Sequence, residues 1–402
     1  IYVDESSAWI APACYEKAVF DKNSFVVFSD RTGYSQLYRY SYSGSLLGRL
    51  TDFAYDVTAY YGTGADGSVY FQSTGGNPIN RVVSMTDRKG KTVNLSPVDG
   101  TASAVFSPAM NYYSLTYSNI SEPPVQTLYT SMGKKVRVLE DNSAYRSNLP
   151  RLSVKEFFKF ATDGVELNGY MIKPTDFSAT KKYPVIMSQY SGPGSQSVLN
   201  RWSLDWEQYY ASKGYVIICV DGRGTGGRGR AFMDVVYKRL GQYETKDQVA
   251  AARYAASLPF VDASRIGIYG WSYGGYEALM AASAADCPYA AAVAIAPVTD
   301  WRYYDTVYAE RYMTTPQQNP DGYDAGSPLR LAGKLGCRLL IMSGTADDNV
   351  HMSNTIEYAS ALQSRGILFD MMAFPNMNHS INGCNARLVV YAKMLDFFNR
   401  NL

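Results

Sequence analysis

One serine in the chain has the neighbours of a hydrolytic nucleophile. Ser272 lies in Gly270–Gly274, which has the pattern G-x-S-x-G, between an apolar strand-like run and an alanine-rich helical segment. Such a turn, a nucleophile elbow, needs very small residues two positions before and after the serine. The helix that follows offers backbone N–H groups to a developing oxyanion. The pattern therefore predicts a nucleophilic Ser272; the alternative is a surface serine in a glycine-rich turn.

A serine nucleophile needs a base, and the chain has only two histidines, His351 and His379. In α/β-hydrolases an acid follows the serine after a later strand, and the histidine follows the acid. Asp347 and Asp348 both fit the acid, with spacing slightly in favour of Asp347. His379 follows the last strand-like run and fits the base. His351 lies too close to the acid, and we expect it to cap or pack against the next helix.

Two other motifs have open interpretations. Tyr304 and Tyr308 are four positions apart and would share one face of a helix. With Val298 and Trp301 they could line an apolar pocket near the serine, or they could pack as ordinary core aromatics. Gly222–Gly227 has the pattern G-x-G-x-x-G, but it does not open a first βαβ unit, which favours a structural loop over a dinucleotide site.

The elements that must position these residues begin near Lys155. From there, eight strand-like runs alternate with helix-length segments, a pattern typical of a mostly parallel, doubly wound sheet with its chemistry at the carboxyl ends of the strands. We predict an α/β-hydrolase domain over residues 149–402. Its candidate helices are Trp202–Ser212, Glu244–Ser257, Tyr273–Ala284, Ser353–Gln363 and Asn385–Phe398.

Residues 1–148 have the short alternating runs and turn signals of β-strands. Phe28, Phe71 and Tyr117 each lie in a similar strand, which gives a repeat of about 45 residues, the length of one propeller blade. Only about three blades fit, whereas closed propellers usually have four to eight. Because an open array would leave strand edges unpaired, we predict a partial all-β propeller that lacks upstream blades.

Composition excludes several other classes of protein. Lys and Arg total 38 against 36 Asp and Glu, so the charge of +2 does not favour nucleic acid or an anionic membrane as a partner. No apolar run approaches the roughly 20 residues of a membrane span. The five cysteines include no CxxC pair, so neither a zinc site nor a redox pair is expected.

Four long motifs in order resemble the prolyl oligopeptidase family, and within it the dipeptidyl peptidase IV group. They are Asp221–Gly229, Gly270–Tyr276, Trp301–Met313 and Gly344–His351. The resemblance implies an α/β-hydrolase domain joined to an eight-bladed propeller. It also implies removal of N-terminal dipeptides whose second residue is Pro or Ala.

The resemblance also implies a role for individual residues. Ser272 matches the nucleophile, Asp347 rather than Asp348 the acid, and His379 the base. Tyr190 resembles the tyrosine that, together with the backbone N–H of Tyr273, binds the oxyanion. The residues that match the proline pocket are Tyr273, Val298, Trp301, Tyr304, Tyr308 and Val350, and Asn349 matches the residue that holds the substrate carbonyl.

The family binds the substrate amine with a Glu-Glu pair in the propeller, and this chain contains no adjacent Glu-Glu pair. We therefore expect Ile1 to lie well inside a longer parent protein. No metal or organic cofactor is expected, and the resemblance suggests a homodimer in the periplasm, outside the cell or at its surface. The alternatives are a prolyl endopeptidase or tripeptidyl peptidase of the same family, an esterase, or a non-catalytic binding module.

Overall fold

The computed structural model describes residues 2–402, which form two compact units. The first unit contains the chain up to Arg151 together with Leu199–Ser203 and Gly226–Asp234. The second contains Leu152–Val198, Leu204–Thr225 and Val235–Leu402. The units therefore do not follow a single cut of the chain, and the boundary between residues 148 and 149 stays a prediction.

The strands of the first unit form three antiparallel sheets of four strands each, in the orders β1–β4, β5–β8 and β9–β12. The predicted repeat is confirmed, because Phe28, Phe71 and Tyr117 all lie on the second strand of a sheet. The strands are β1 Val19–Phe20, β2 Ser24–Ser29, β3 Gln36–Ser41, β4 Leu46–Arg49, β5 Val57–Thr63, β6 Val69–Ser73, β7 Val82–Thr86, β8 Thr92–Asn94, β9 Thr101–Phe106, β10 Tyr112–Ser118, β11 Val125–Thr130 and β12 Lys135–Glu140.

Apolar side chains between successive sheets form the core of this unit. Phe28 and Leu37 of the first sheet pack with Phe71 of the second. Val83 of the second sheet packs in another cluster with Leu115 of the third. Each sheet thus buries side chains against its neighbour, which is how the blades of a propeller are stabilised. This multi-sheet, propeller-like arrangement agrees with the prediction of a partial propeller.

The second unit is built on one sheet of eight strands, in the order β13-β14-β16-β15-β17-β18-β19-β20. The pairs β13–β14 and β14–β16 are antiparallel, and the other neighbours are parallel. The continuous apolar runs explain this arrangement, since parallel strands are covered on both faces. The strands are β13 Lys155–Thr162, β14 Val165–Ile172, β15 Tyr183–Ser188, β16 Val216–Asp221, β17 Val261–Trp271, β18 Ala291–Ile295, β19 Arg338–Gly344 and β20 Asp370–Phe374.

All five predicted helices are present; Ser353–Gln363 has the predicted ends, and each of the other four differs at one or both ends. The first begins at Trp206 rather than Trp202, because the Asp205 side chain accepts a hydrogen bond from the Glu207 N–H and so caps the helix there. The helices are α1 Ala13–Glu16, α2 Ser143–Ser147, α3 Trp206–Ser212, α4 Arg230–Met233, α5 Tyr243–Ser257, α6 Tyr273–Ala282, α7 Thr306–Met313, α8 Pro320–Ala325, α9 Pro328–Leu331, α10 Ser353–Gln363 and α11 Ala386–Asn401, with 3-10 turns at Asp234–Val236, Trp301–Tyr303 and Ala332–Lys334.

The parallel strands of the second unit place the candidate site at one edge of the sheet. Strands β15, β17, β18, β19 and β20 run in the same direction, so their carboxyl ends lie together. The loops at these ends carry Tyr190, Ser272, Val298, Asp347 and His379, in that order along the chain. The fold therefore gathers at one edge residues that span about half of the sequence.

Candidate active site

Ser272 lies on the sharp turn between β17 and α6. Its backbone has φ 60° and ψ −119°, which is a strained conformation for a residue with a side chain. Two hydrogen bonds hold it: the Ser272 N–H donates to the Ile295 carbonyl at 2.8 Å, and the Ser272 carbonyl accepts from the Tyr276 N–H at 2.9 Å. The structure thus contains the predicted strand–turn–helix, with the serine at its apex.

The two glycines of the motif allow the chain to turn this tightly. A β-carbon at Gly270 would lie 2.0 Å from the carbonyl oxygen of Gly274. A β-carbon at Gly274 would lie 2.6 Å from the carbonyl oxygen of Gln189. Real β-carbons do not approach backbone this closely, so any larger residue at either position would force the turn open.

Gln189, at the end of β15, also supports the elbow. Its side-chain N–H donates to the Gly274 carbonyl at 2.7 Å, and its Oε1 accepts from Ser191 Oγ at 2.9 Å. Gln248 on α5 donates to the same Ser191 hydroxyl at 3.1 Å. Nothing in the local sequence pattern singled out Gln189, because its partner lies 85 positions away.

Asp347 and His379 form the acid–base pair that chain order predicted. Nδ1 of His379 lies 2.8 Å from Oδ2 of Asp347, whose side chain is fully buried. Oδ1 of Asp347 accepts the backbone N–H groups of Asn349 at 3.0 Å and Val350 at 2.9 Å. Asp348 is exposed to solvent. The geometry thus shows that Asp347, and not Asp348, contacts the His379 imidazole, a choice that spacing had left open.

Backbone contacts hold the loop that carries His379 beside both Asp347 and the turn that carries Ser272. Gly344 lets this loop approach, since a β-carbon there would lie 2.1 Å from the Met377 carbonyl oxygen. That carbonyl accepts the Ala346 N–H at 3.0 Å. On the other side, the indole N–H of Trp271 donates to the His379 carbonyl at 3.0 Å. Trp271 directly precedes the nucleophile, so the loop that carries the base is joined to the turn that carries the serine.

Two donors are placed to stabilise an oxyanion next to Ser272. Tyr190 and Ser272 line the same small cavity, and burial raises the pKa of the Tyr190 hydroxyl, although the residue as a whole is 38% exposed. A raised pKa keeps this hydroxyl protonated and able to donate. Tyr273 is the first residue of α6, where a backbone N–H has no partner within the helix.

An aromatic box opens beside the serine, with about 220 Å³ of space that includes its open mouth. The Trp301 and Tyr308 rings are stacked, with centroids 5.8 Å apart, and Tyr273 packs against Trp301 at 5.4 Å. The box is lined by Tyr190, Ser272, Tyr273, Val298, Trp301, Tyr304 and Tyr308. The structure therefore brings the tyrosine cluster together next to the nucleophile rather than dispersing it in the core.

Tyr304 lines the box from an extended segment and not, as the sequence predicted, from a helix that it shares with Tyr308. Tyr304 does not share a helix face with Tyr308, because α7 begins only at Thr306 and Tyr304 is extended, with φ −109° and ψ 164°. The Asp305 side chain accepts the Tyr308 N–H at 2.8 Å and caps the helix there. The two rings still meet edge to face, with centroids 5.3 Å apart.

The residues after the acid have distinct positions. The Tyr304 hydroxyl donates to Asn349 Oδ1 at 2.7 Å, which leaves the amide NH₂ of Asn349 as the donor group toward a ligand. Val350 is buried, but the lining of the box does not include it, so its role in the pocket stays a prediction. His351 is exposed, and its carbonyl accepts the Asn354 N–H at 3.0 Å in the first turn of α10.

Glu244 on α5 supports the box from behind. The Tyr273 hydroxyl donates to Glu244 Oε1 at 2.8 Å, and both residues are buried. Burial raises the pKa of Glu244 to about 7 and also raises that of Tyr273. Sequence reasoning missed Glu244, because a glutamate near the start of a helix is ordinarily a solvated residue that favours the helix dipole.

The Gly222–Gly227 loop is held together by an ion pair. Arg223 makes a bidentate contact with Asp247, at 2.6 Å from NH2 to Oδ1 and 3.0 Å from Nε to Oδ2. Gly224 has φ +96°, and a β-carbon there would lie 2.7 Å from Val236 Cγ1. The buried arginine and the close packing are those of a structural loop, which favours that interpretation over a nucleotide site.

Two searches of the described part of the chain bear on function. Among residues 2–402, no three or more His, Cys, Asp or Glu side chains are grouped so that they could hold a metal ion. In the same residues, every helix is too short or too polar to cross a bilayer.

Together, the doubly wound sheet, the serine on a strand–turn–helix and the Asp–His pair are the features of an α/β-hydrolase fold. The sequence profile of the prolyl oligopeptidase family matches residues 202–402. The profile of the dipeptidyl peptidase IV (DPP IV) N-terminal region matches residues 1–124. The chain belongs to the prolyl oligopeptidase family, as its motifs suggested.

Individual relatives agree with this membership. The chain is 38% identical over 346 residues to a probable dipeptidyl-aminopeptidase B of Ajellomyces capsulatus, a match that covers 82% of this chain and 37% of that protein. It is 40% identical over 340 residues to the protein of the same name from Sclerotinia sclerotiorum, covering 81% of this chain and 37% of the relative.

Solved structures are similar over nearly the whole chain. The crystal structure of Porphyromonas gingivalis dipeptidyl peptidase 4 superposes with a TM-score of 0.96 at 44% identity, covering 99% of this chain and 57% of that one. A putative dipeptidyl aminopeptidase IV from Bacteroides ovatus gives a TM-score of 0.88 at 29% identity, covering 96% and 58%. The chain thus spans a little over one third of the curated relatives and over half of these solved chains.

Proposed function

We propose that the protein is a serine peptidase that releases dipeptides from peptide N-termini, with Pro or Ala preferred as the second residue. The observation that carries the proposal is the buried Asp347–His379 pair, 2.8 Å from Oδ2 to Nδ1, beside an elbow serine and an aromatic box. The names of the relatives support a dipeptidyl product. The match to the N-terminal region profile of dipeptidyl peptidase IV supports it independently of the catalytic residues.

In the proposed mechanism, Ser272 Oγ attacks the carbonyl carbon of the second substrate residue while Nε2 of His379 takes the hydroxyl proton. The tetrahedral intermediate collapses, His379 gives the proton to the departing amine, and a dipeptidyl ester remains on Ser272. Water then repeats the sequence and frees the dipeptide. Asp347 holds the imidazole by Nδ1 and stabilises its charged form, because Asp347 is buried and also accepts two backbone N–H groups.

The oxyanion would be bound by Tyr190 and the N–H of Tyr273. Tyr190 and Ser272 line the same small cavity, so the Tyr190 hydroxyl would donate to an oxygen that develops next to Ser272. The N–H of Tyr273 lies at the positive end of α6. Each donor of this kind contributes on the order of 3 kcal/mol to transition-state stabilisation.

The aromatic box accounts for the proposed preference at the second residue. The Trp301, Tyr304 and Tyr308 rings enclose a small apolar space next to the serine. A pyrrolidine ring is compact, apolar and locked in φ, so it loses little entropy on binding. Longer side chains would need the stacked rings to separate, at the expense of their packing.

The preceding substrate residue would extend from the box toward a more polar cavity. Tyr304 and Asn349 line this cavity together with Arg302, Tyr303, Asp305, Asp348 and His351. The free amide N–H₂ of Asn349, oriented by the Tyr304 hydroxyl, is placed to donate to the carbonyl of that residue. This arrangement separates the apolar subsite for proline from a polar subsite next to it.

The test is hydrolysis of Gly-Pro-4-nitroanilide and its N-succinyl derivative by the full-length protein. A dipeptidyl peptidase cleaves the free-amine substrate and leaves the blocked one intact. A prolyl endopeptidase cleaves the blocked substrate, which would contradict the proposal. A fluorophosphonate probe provides the control, because it labels Ser272 in either kind of peptidase but not in a binding module, and the Ser272→Ala variant remains unlabelled.

We also propose a homodimer located in the periplasm or outside the cell. Apolar residues at and near the last strand and last helix support self-association, since Leu368 is 82% exposed and Leu388 is 70% exposed. The location is suggested only by the use of such an activity in peptide scavenging. Light scattering combined with size exclusion tests the first proposal, and fractionation of the native host tests the second.

A further inference from the structure

Two cysteines come together at the edge of the sheet opposite to the candidate site. Cys287 lies four positions before β18, and Cys337 directly precedes β19. These strands are parallel neighbours, with Ala291 opposite Arg338. Their amino ends therefore bring side by side two cysteines that are 50 positions apart in the sequence, from 287 to 337. A search for CxxC spacing could not detect such a pair.

The two cysteines lie close together. Each thiol perturbs the pKa of the other. The backbone before Cys337 also lies against Cys287, because a β-carbon at Gly336 would be 3.1 Å from Cys287 Cβ and 3.6 Å from its Sγ. The Gly336 N–H donates to the Ala282 carbonyl at 2.8 Å and fixes that approach. Both cysteines are half-buried, so small reagents can reach them.

We propose that Cys287 and Cys337 are a redox-active pair that closes to an intrachain disulfide by exchange with a small-molecule disulfide. The Cys287 thiolate attacks one sulfur of the reagent, which forms a mixed disulfide and releases one thiol. Cys337 loses its proton to solvent and attacks Cys287 Sγ, which releases the second thiol. The protein loses two electrons and two protons, and one reagent disulfide becomes two thiols.

The electrostatics of the pair support this order of attack. The interaction between the two thiols lowers the pKa of Cys287 and raises the pKa of Cys337. A lowered pKa increases the share of Cys287 that is thiolate, the form that attacks disulfides. Once Cys287 is in a mixed disulfide its negative charge is gone, and Cys337 ionises more easily. The ionisable groups that face the pair are the Tyr289 and Tyr358 phenols.

The disulfide would close a loop that contains much of the aromatic box. Residues 287–337 include Val298, Trp301, Tyr304 and Tyr308. A crosslink at the base of this segment restricts its unfolded forms without contact with the catalytic residues, which lie at the other edge of the sheet. Oxidation is thus expected to protect the segment from local opening while the folded site is unchanged.

The experiment is to treat the reduced full-length protein with oxidised glutathione, digest it without reduction and identify crosslinked peptides by mass spectrometry. We expect a Cys287–Cys337 crosslink and a loss of two titratable thiols, with no stable glutathione adduct. The Cys337→Ser variant should instead keep glutathione on Cys287. The Cys384→Ser variant, which removes an exposed cysteine, is the matched control and should form the crosslink as the wild type does.

A second readout does not depend on enzymatic activity. In limited proteolysis, the oxidised wild type should be cleaved within residues 287–337 at least several-fold more slowly than the reduced form, and oxidation should not change the rate for Cys337→Ser. Glutathione adducts on Cys287 of the wild type without a crosslink would overturn the proposed pair. A crosslink that leaves the cleavage rate unchanged would overturn its protective role.

Discussion

The two edges of the parallel strands in the second unit carry different kinds of structure. At the carboxyl edge, Ser272 has a positive φ of 60° and Asp347 is a fully buried carboxylate. At the amino edge, the ion pair of Asp262 with Arg265 is partly exposed, and the cysteine pair is half-buried. At the carboxyl edge, strained backbone and buried charge hold reactive groups in place. At the amino edge, the contacts join the ends of strands.

The difference between the two edges indicates which changes should affect activity and which should affect stability. A change at the carboxyl edge should reduce activity with little effect on unfolding, because the surrounding backbone already holds the strained positions. A change at the amino edge should affect stability and leave turnover unchanged. The sheet between the two edges is rigid and apolar, as in Val216–Val220 and Ala291–Ile295, which are buried throughout.

The largest effect is expected for Asp347→Asn. The amide cannot stabilise the charged imidazole and favours the wrong histidine tautomer, so kcat should fall by roughly 10⁴-fold. Steady-state kinetics on Gly-Pro-4-nitroanilide, with thermal unfolding as a check on the fold, measure this. Asp348→Asn is the matched control at the exposed neighbouring position in the polar cavity, and kcat should fall far less than in Asp347→Asn. Equal losses in both variants would contradict the assignment of the acid.

Tyr190→Phe should have the next largest effect. The variant removes one oxyanion donor and keeps the ring, so kcat should fall by about 10²- to 10³-fold with a small change in KM. Tyr209→Phe is the control, since Tyr209 is exposed and lines neither the aromatic box nor the polar cavity. A loss that appears mainly in KM would show that Tyr190 binds substrate rather than the transition state.

Glu244→Gln tests the buried residues that support the aromatic box from behind. Burial raises the pKa of Glu244 from 4.5 to about 7. Between these two pH values the folded protein binds a proton that the unfolded chain releases. The group therefore stabilises the fold at low pH, and this contribution is lost as the pH rises through 7. Between pH 5 and pH 8 the wild type should lose about 2 to 3 kcal/mol more stability than the variant. Urea unfolding at both pH values measures this difference, and parallel pH profiles would refute it.

Asp262→Asn should have the smallest effect and tests the amino edge. Hydrogen bonds from Ser264 and then Arg265 lower the pKa of Asp262 to about 2. The group is well solvated, so its contribution is expected to be under about 1 kcal/mol. That contribution is present above the ordinary pKa of 3.8 and is lost as pH falls through 2. Turnover should be unchanged at neutral pH, and a clear loss of kcat would break the proposed separation of the two edges.

Much of the fold and part of the site could be predicted from local patterns. The elbow is encoded by six contiguous residues between a strand and a helix, and the β-repeat by alternation with a constant period. Chain order alone placed an acid after β19 and a base after β20. The predictions of the fold succeeded because strand and helix periodicity and turn glycines are visible without any knowledge of distant contacts, whereas the roles of the acid and the base stay predictions.

Other features depend on contacts that no local pattern contains. Tyr304 reaches the box from an extended segment because Asp305 delays the start of α7. Gln189 and Trp271 support the site through hydrogen bonds to residues 85 and 108 positions away. Glu244 would ordinarily be solvated, and only packing against Tyr273 buries it.

The amino-acid sequence by itself determined the class of chemistry, because a serine nucleophile and its base are specific residue types in a fixed chain order. It also determined the strands and helices, since their periods follow from backbone geometry. Only the tertiary structure showed that Asp347 contacts His379, that Glu244 is buried and that Cys287 lies beside Cys337. Burial and the distance between remote residues arise when strands align side by side, and both properties set the charge and reactivity of a side chain.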